Sequence, residues 1–139
     1  MKELRFDELT VGDELPALPL SPITRTTLAL YAGASGDHNP IHIDLDFARQ
    51  AGMSDVFAHG MLSAAYLGRF LTGWVRQERI REIKLRFTGI THLQDAPLCS
   101  GRIAEKFEHA GEERVRIELK TTVRGNIDTI VGEAVLALK

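Results

Sequence analysis

Apolar and polar residues alternate along much of the second half of the chain. From residue 83 to residue 87 apolar side chains alternate with lysine and arginine, and the same period of two runs from residue 114 to residue 123. Such alternation is typical of a β-strand that buries one face. We therefore predict a strand in each segment, each with a buried apolar face.

Less regular patterns indicate further strands. Residues 98–109 are expected to form one, with Ala110-Gly111-Glu112 as the hairpin turn to the next strand. Residues 130–138 are apolar on both faces, which predicts an inner strand or a strand at a subunit contact. Near the N-terminus, residues 15–22 contain three prolines, a composition that only an edge strand tolerates.

Two short helices are predicted before the strands begin. Residues 24–34 place apolar side chains on one stripe, and either Ser21 or Thr24 can cap the start of that helix. Asp44 is the predicted N-cap of a second helix that ends at about Gln50.

The longest apolar stretch runs from residue 60 to residue 74 and predicts a helix that is buried on most sides. Gly60, Ala64 and Gly68 recur at every fourth position, so they form a smooth ridge that a sheet or another helix can approach closely. Helices followed by antiparallel strands predict an α+β domain. Because one sheet on one helix leaves a sheet face and an edge uncovered, we expect a dimer.

Composition narrows the class of protein. The chain has 139 residues, which predicts a single domain over residues 1–139. With 44% hydrophobic and 26% charged residues it is not disordered, and a net charge of -2 argues against a nucleic-acid partner. No apolar run is long enough for a membrane helix. The single Cys99 and an N-terminus without an apolar stretch indicate a cytoplasmic protein.

The loop of residues 35–42 holds the first candidate site. It combines the carboxylate of Asp37, the amide of Asn39 and the imidazole of His42, a set that can position and deprotonate a water molecule. The alternative is a solvated turn in which Asp37 bonds the backbone and Asn39-Pro40 starts the bend. His38 and His42 have a zinc-like spacing, but Pro40 lies between them and no cysteine is near, so we predict no metal.

The segment 58–61 leads into the long helix and is the second candidate site. The first turn of a helix has free N–H groups and a partial positive charge, so the N–H of Gly60 can stabilise an oxyanion. Alternatively, Gly60 is merely small where the chain enters a crowded core, and His59 is a capping or packed histidine. Arg76, Arg79 and Arg81 indicate a solvated turn or a contact with substrate phosphates.

Two motifs and their spacing resemble one known family. Residues 31–42 (YAGASGDHNPIH) and residues 57–62 (FAHGML) are similar to the MaoC-like (R)-specific enoyl-thioester hydratases, also called the hydratase 2 group. Residues 132–135 (GEAV) resemble the last strand of that family. The resemblance covers essentially the whole chain and implies a hot-dog fold, in which a curved antiparallel sheet wraps a long central helix.

The resemblance also implies a reaction, the reversible addition of water to a trans-2-enoyl thioester to give the (R)-3-hydroxyacyl thioester. It implies Asp37 and His42 as the acid–base pair and Gly60 as the oxyanion donor. Asn39, His59 and Met61 are the residues expected to contact substrate, and no cofactor is expected. The implied partners are an acyl-CoA or acyl-carrier-protein thioester and a second copy of the chain or another hot-dog subunit.

Two other functions compete with this interpretation. The chain could be an acyl-thioester-binding assembly subunit that needs a second hot-dog chain, but such partners tend to lose the Asp/His pair, which is complete here. A hot-dog thioesterase uses a carboxylate on the central helix, and residues 61–74 contain no aspartate or glutamate.

Overall fold

A computed structural model describes residues 3–138 and shows one antiparallel sheet packed on one long helix. The strands are β1 (Glu14–Pro19), β2 (Ile80–Phe87), β3 (Leu98–His109), β4 (Glu112–Val123) and β5 (Ile127–Ala137). The helices are α1 (Arg25–Ser35), α2 (Leu45–Gln50) and α3 (Gly60–Thr72), and short 3-10 turns lie at Phe6–Glu8, Pro40–His42 and Gln77–Arg79. The predicted α+β class is confirmed.

The strands lie in the order β1-β3-β4-β5-β2, and each neighbouring pair is antiparallel. The helix α3 packs against the three central strands, β3, β4 and β5. Between helix and sheet lies the larger hydrophobic core, whose fully buried members include Leu67, Leu71, Ile103, Ile117 and Leu136. Burial of a side chain of this kind stabilises the fold by about 1.5–3 kcal/mol relative to leaving it exposed.

The long helix sits close to the sheet at its C-terminal half. A Cβ atom on Gly101 of β3 would lie 2.9 Å from the ring of Phe70, so only glycine permits this approach. The helix ends at Thr72, two residues before the predicted end at Trp74. The predicted ridge is only partly in contact, because nothing lies within 4 Å of a Cβ placed on Gly68.

The short helices begin where the sequence predicts. Thr24, not Ser21, caps α1, and its side chain forms a reciprocal capping box with Thr27. The side chain of Asp44 accepts hydrogen bonds from two backbone N–H groups at the start of α2. These caps supply acceptors for N–H groups that a helix cannot satisfy internally.

The buried face predicted for β2 is wrong in this structure. The side chains of Ile83 and Phe87 are 44% and 50% exposed. The reason is that β2 is an edge strand, outside the three central strands on which α3 packs. By contrast β4 does bury one face, and β5 lies between β4 and β2 as the predicted inner strand. The proline-containing segment forms the opposite edge, β1, as predicted. No helix within residues 3–138 has the length and apolar character needed to cross a bilayer.

Candidate active site

The loop after α1 shapes the first half of the site. Gly36 ends the helix in the left-handed region with a φ of 76°, which favours glycine. Oδ1 of Asp37 accepts a hydrogen bond of 3.2 Å from the N–H of Asn39, and Oδ1 of Asn39 accepts one of 3.1 Å from the N–H of Ile41. The turn predicted as an alternative is therefore present, and it fixes the position of the Asp37 carboxylate.

The imidazole of His42 is held at the end of the 3-10 turn that follows. Its side chain is buried, and Nδ1 lies 2.7 Å from the carbonyl oxygen of Phe57. Because a carbonyl only accepts, Nδ1 carries the hydrogen and donates it. The neutral ring therefore has its lone pair on Nε2, which leaves that atom free to accept a proton.

Three titratable side chains converge beside this loop. A carboxylate oxygen of Asp37, a ring nitrogen of His42 and a ring nitrogen of His59 all lie within 4.8 Å of one another. Groups this far apart can be bridged by one water molecule, and a bridged pair can move a proton to or from that water. The loop that forms a turn therefore also brings together side chains that are able to exchange a proton through one water molecule.

The same three side chains do not match a metal site well. The rings of His42 and His59 are stacked with centroids 4.0 Å apart and an interplanar angle of 29°, so their in-plane lone pairs lie in two separate and nearly parallel planes. A tetrahedral ion needs lone pairs that converge, and Nδ1 of His42 and Nε2 of His59 already face backbone carbonyls.

The N-terminus of α3 forms the other half of the site. His59 occupies the N-cap position, but its side chain makes no capping hydrogen bond. Among the hydrogen bonds of residues 3–138, none uses the N–H of Gly60. The ring of Phe87 lies 3.0 Å from where a Cβ of Gly60 would be, so a larger residue would push on that ring. A free N–H at a positive helix end is suited to an oxyanion.

A cavity of about 170 Å³ adjoins this helix end. Its lining includes the N-cap and first turn of α3 and residues that follow or flank β2, among them His59, Gly60, Ser63, Phe87, Thr91 and Ile130. The buried hydroxyls of Ser63 and Thr91 face each other at 3.4 Å. A larger depression of about 830 Å³ lies along β1 and β3 and contains none of the candidate residues.

Comparison with known proteins identifies the family. The family model of the MaoC like domain matches residues 8–129. The chain belongs to this family. R-hydratase PhaJ1 from Pseudomonas aeruginosa has a similar structure, with a TM-score of 0.83 and 28% identity over 96% of this chain and 85% of that one. The predicted hot-dog fold is thereby confirmed.

Curated relatives of this MaoC-like chain have different lengths. Fatty acid synthase subunit beta of Saccharomyces cerevisiae is 29% identical over 78% of the chain, which spans only 6% of that subunit. The (R)-specific enoyl-CoA hydratase of Rhodospirillum rubrum is 39% identical over 66 residues, which are 48% of this chain and 44% of that enzyme.

The three residues predicted to contact substrate, Asn39, His59 and Met61, differ in how far they are exposed to solvent. The side chain of Met61 is 59% exposed, whereas that of His59 is 1% exposed. Asn39 is exposed, and it uses its Oδ1 to cap the 3-10 turn.

The arginine cluster lies beyond the C-terminal end of α3, a helix of 13 residues and so about 20 Å long. Arg76 pairs with Glu78 at 2.7 Å, and Nε of Arg81 donates to Glu112 at 2.9 Å. The Arg81 hydrogen bond lowers the pKa of Glu112 to about 2, with help from Arg114. Two of the three arginines thus have carboxylate partners, which favours the solvated-turn interpretation of this cluster.

Three aromatic residues that were not predicted as site residues lie at the MaoC-like site. Tyr31 meets His59 edge-on with ring centroids 4.9 Å apart, and burial, then the Asp37 carboxylate, raise the pKa of its phenol. Phe57 supplies the carbonyl that orients His42, and Phe87 packs against Gly60. Tyr31 and Phe57 belong to the two sequence motifs, so the sequence could have drawn attention to them. Their contacts with His59 and His42 depend on tertiary structure and could not be predicted from the motifs.

Proposed function

We propose that this protein catalyses the reversible, (R)-specific addition of water to a trans-2-enoyl thioester. The observation that carries this proposal is the convergence of Asp37 and His42 within 4.8 Å beside the uncapped start of α3. The similarity to an R-hydratase and to an (R)-specific enoyl-CoA hydratase supports the same reaction and stereochemistry.

The acid–base pair begins the reaction. A water molecule bridges the carboxylate of Asp37 and Nε2 of His42, and the pair removes one of its protons as the oxygen bonds to C3 of the enoyl group. Electrons move from the double bond toward the thioester oxygen. The pair then delivers a proton to C2, so that the elements of one water molecule are added in all. We assign the two residues jointly because interacting groups titrate as a unit.

The helix end stabilises the negative charge that develops on the thioester oxygen. The N–H of Gly60 makes no competing hydrogen bond within the described residues, so it is free to donate to that oxygen. One such donor is worth about 3 kcal/mol of transition-state stabilisation. We place the acyl group in the adjoining cavity, and we keep the exposed Asn39 and Met61 as proposed further contacts with the substrate.

Turnover of crotonyl-CoA by the purified protein tests this function. We expect the enoyl absorbance to fall and chiral analysis to show the (R)-3-hydroxyacyl thioester. Absence of turnover with short, long and ring-bearing enoyl-CoA and with acyl-carrier-protein thioesters would contradict the proposal, and an (S) product would contradict its stereochemistry.

We further propose a homodimer built on the β2 edge. The opposite edge strand, β1, contains Pro16 and Pro19, which block pairing, whereas β2 has no proline and exposes Ile83 and Phe87. An edge strand that lacks proline and exposes large apolar side chains favours pairing with another strand. Light scattering should give a mass of about twice 15.4 kDa, and a monomeric mass would contradict the dimer.

An assembly subunit that needs a different hot-dog chain is the alternative partner arrangement. It is not favoured, because Asp37 and His42 are both present and placed together. Inactivity of the chain alone, with activity restored by a co-purified second subunit, would support it. We also propose a cytoplasmic location, since Cys99 is buried and unpaired.

A further inference from the structure

His59 has surroundings unlike those of an ordinary core residue. Its side chain is 1% exposed and lies between two other rings. The ring of His42 stacks on it with centroids 4.0 Å apart and an interplanar angle of 29°, and Tyr31 meets it edge-on at 4.9 Å. His59 therefore contacts the ring face of the histidine that we propose as half of the acid–base pair.

The second nitrogen of this ring reaches the other member of the acid–base pair. Nε2 of His59 lies 3.1 Å from the backbone carbonyl oxygen of Asp37. A carbonyl only accepts, so Nε2 carries the hydrogen and donates it. His59 therefore contacts both Asp37 and His42, which are five positions apart in the loop and make no hydrogen bond to each other in the structure.

Nδ1 of His59 is the remaining atom, and it is buried without a hydrogen-bond partner among the described residues. A buried group without a partner costs about 1–3 kcal/mol, so the fold retains this ring at a cost. His59 is one of the residues lining the cavity, but it is only 1% exposed and its Nδ1 has no contact with solvent. The ring is therefore not placed to exchange a proton with water, and it offers almost no surface to a substrate.

We propose that His59 is a positioning residue, which fixes the separation of Asp37 and His42 by stacking on one and hydrogen bonding to the backbone of the other. This inference rests on the proposed function, and it replaces the direct substrate contact that the sequence predicted for His59. The side chain acts through the pair and not on the substrate.

The charge of His59 is part of this role. Burial lowers the pKa of the His59 imidazole, and the nearby His42 lowers it further. The hydrogen bond to the Asp37 backbone and the negative charge of the Asp37 carboxylate both raise this pKa, but by less. If His59 is neutral, the acid–base pair can hold a proton without electrostatic repulsion from this ring. A positively charged His59, stacked at 4.0 Å on His42, would repel a positive charge on His42.

Two substitutions separate the contacts of His59. His59→Phe keeps an aromatic ring against His42 but removes the hydrogen bond to Asp37, and His59→Gln keeps a donor but removes the ring. Because misplacement of a catalytic group by about 1 Å can cost 10²-fold in rate, we expect each variant to lower kcat by about 10-fold or more. KM should change by less than about threefold, since no substrate contact is lost.

Leu28→Val is the control for a merely structural role, since Leu28 is also fully buried and belongs to the smaller hydrophobic cluster. We expect it to lower the melting temperature with kcat unchanged. Variants of His59 whose kcat equals that of the wild type, or whose kcat falls only in proportion to the folded fraction, would overturn the positioning role.

A double variant gives the sharpest readout. If His59 acts only through the pair, Asp37→Asn combined with His59→Gln should be no slower than Asp37→Asn alone, whereas independent effects would multiply. Nitrogen NMR of the wild type, which needs no variant to fold, should show a neutral His59 with its hydrogen on Nε2 at pH 7. Multiplying effects or a charged His59 would overturn the proposal. An inactive wild type would instead overturn the proposed function, and this inference with it.

Discussion

The two ends of α3 are built differently. At the C-terminal end, Phe70 packs into the space left by Gly101, Leu71 is completely buried, and the N–H of Gly73 bonds back to the helix. At the N-terminal end, the N–H of Gly60 makes no hydrogen bond within the described residues, and the buried Nδ1 of His59 has no partner among them. The C-terminal end is therefore well packed and hydrogen-bonded, whereas the N-terminal end leaves two polar groups without partners among residues 3–138.

The other helices show that the departure at α3 is not general. Side chains of Thr24 and Asp44 cap the starts of α1 and α2, whereas no side chain caps α3. A protein can leave a helix start without a side-chain cap where its function needs unpaired N–H groups. The stability lost there must then come from other parts of the fold. We infer that the C-terminal half of α3 stabilises the fold, and the N-terminal end is where we propose that the reaction takes place.

Asp37→Asn should have the largest effect, confined to the N-terminal end. Asparagine keeps the Oδ1 acceptor that holds the turn, so we expect an unchanged melting temperature. Loss of the carboxylate should lower kcat by about 10³-fold. Asp46→Asn, in the exposed part of α2, is the matched control and should leave kcat unchanged. A kcat for Asp37→Asn within threefold of the wild type would refute the role of this carboxylate.

Leu71→Ala should do the reverse at the other end. Removing a fully buried leucine lowers the free energy of unfolding by about 3 kcal/mol, as measured by urea denaturation. The kcat of the folded fraction should not change. Thr72→Ala, at the exposed neighbouring position, is the control and should change stability by less than about 0.5 kcal/mol. A lowered kcat in Leu71→Ala would show that the two ends are not separable.

Thr24→Ala tests whether side-chain caps stabilise this protein. We expect a loss of about 1 kcal/mol in the free energy of unfolding, because the N–H of Thr27 loses its acceptor. Thr26→Ala, in the exposed first turn of the same helix, should be close to neutral in denaturation experiments. Equal effects at the two positions would remove the contrast between capped and uncapped helices.

Gly60→Ala and Gly68→Ala compare two glycines of α3. Alanine at Gly68 meets no atom within 4 Å, so it should stabilise the protein by about 0.5–1 kcal/mol through lower chain entropy. Alanine at Gly60 meets Phe87 at 3.0 Å, so it should destabilise the protein and lower kcat. Calorimetry and a crotonyl-CoA assay measure both effects. Equal stabilisation at the two positions would contradict the close contact at Gly60.

The smallest expected effect is a slope of stability with pH. The folded state holds the pKa of His59 below its ordinary value of 6.5, chiefly by burial. As pH falls below that value, the unfolded chain binds a proton that the folded chain does not, so stability decreases. His42, Asp37 and Tyr31 face this ring, and His59→Gln should reduce the slope. If stability changes with pH as steeply in His59→Gln as in the wild type, the pH dependence comes from another group. A smaller pH dependence in the exposed control His109→Gln would also contradict the assignment to His59.

Local sequence patterns predicted where helices and strands lie better than they predicted which elements pack against one another. Thr24 and Asp44 marked helix starts because capping is a local interaction, and alternation over residues 114–123 marked β4 correctly. Alternation also marked β2, but it could not show that Ile83 lies at a sheet edge, because edge position depends on strand order.

The candidate site shows the same division. Asp37, His42 and Gly60 stand in recognisable motifs, and the structure brings the first two together. The stacking of His59 on His42 joins residues 17 positions apart, and no periodicity encodes it. The packing of Phe87 against Gly60 depends on the path of β2 past α3. Such contacts follow from tertiary structure alone.

A crystal structure with a saturated acyl-CoA, which cannot be hydrated, tests the central claim most directly. We predict that the thioester oxygen lies about 3 Å from the nitrogen of Gly60 and that a water molecule bridges Asp37 and His42 next to C3 of the acyl chain. A thioester bound in the depression along β1 and β3, or one whose C3 lies away from that water, would contradict the assignment of chemistry to the N-terminal end of α3.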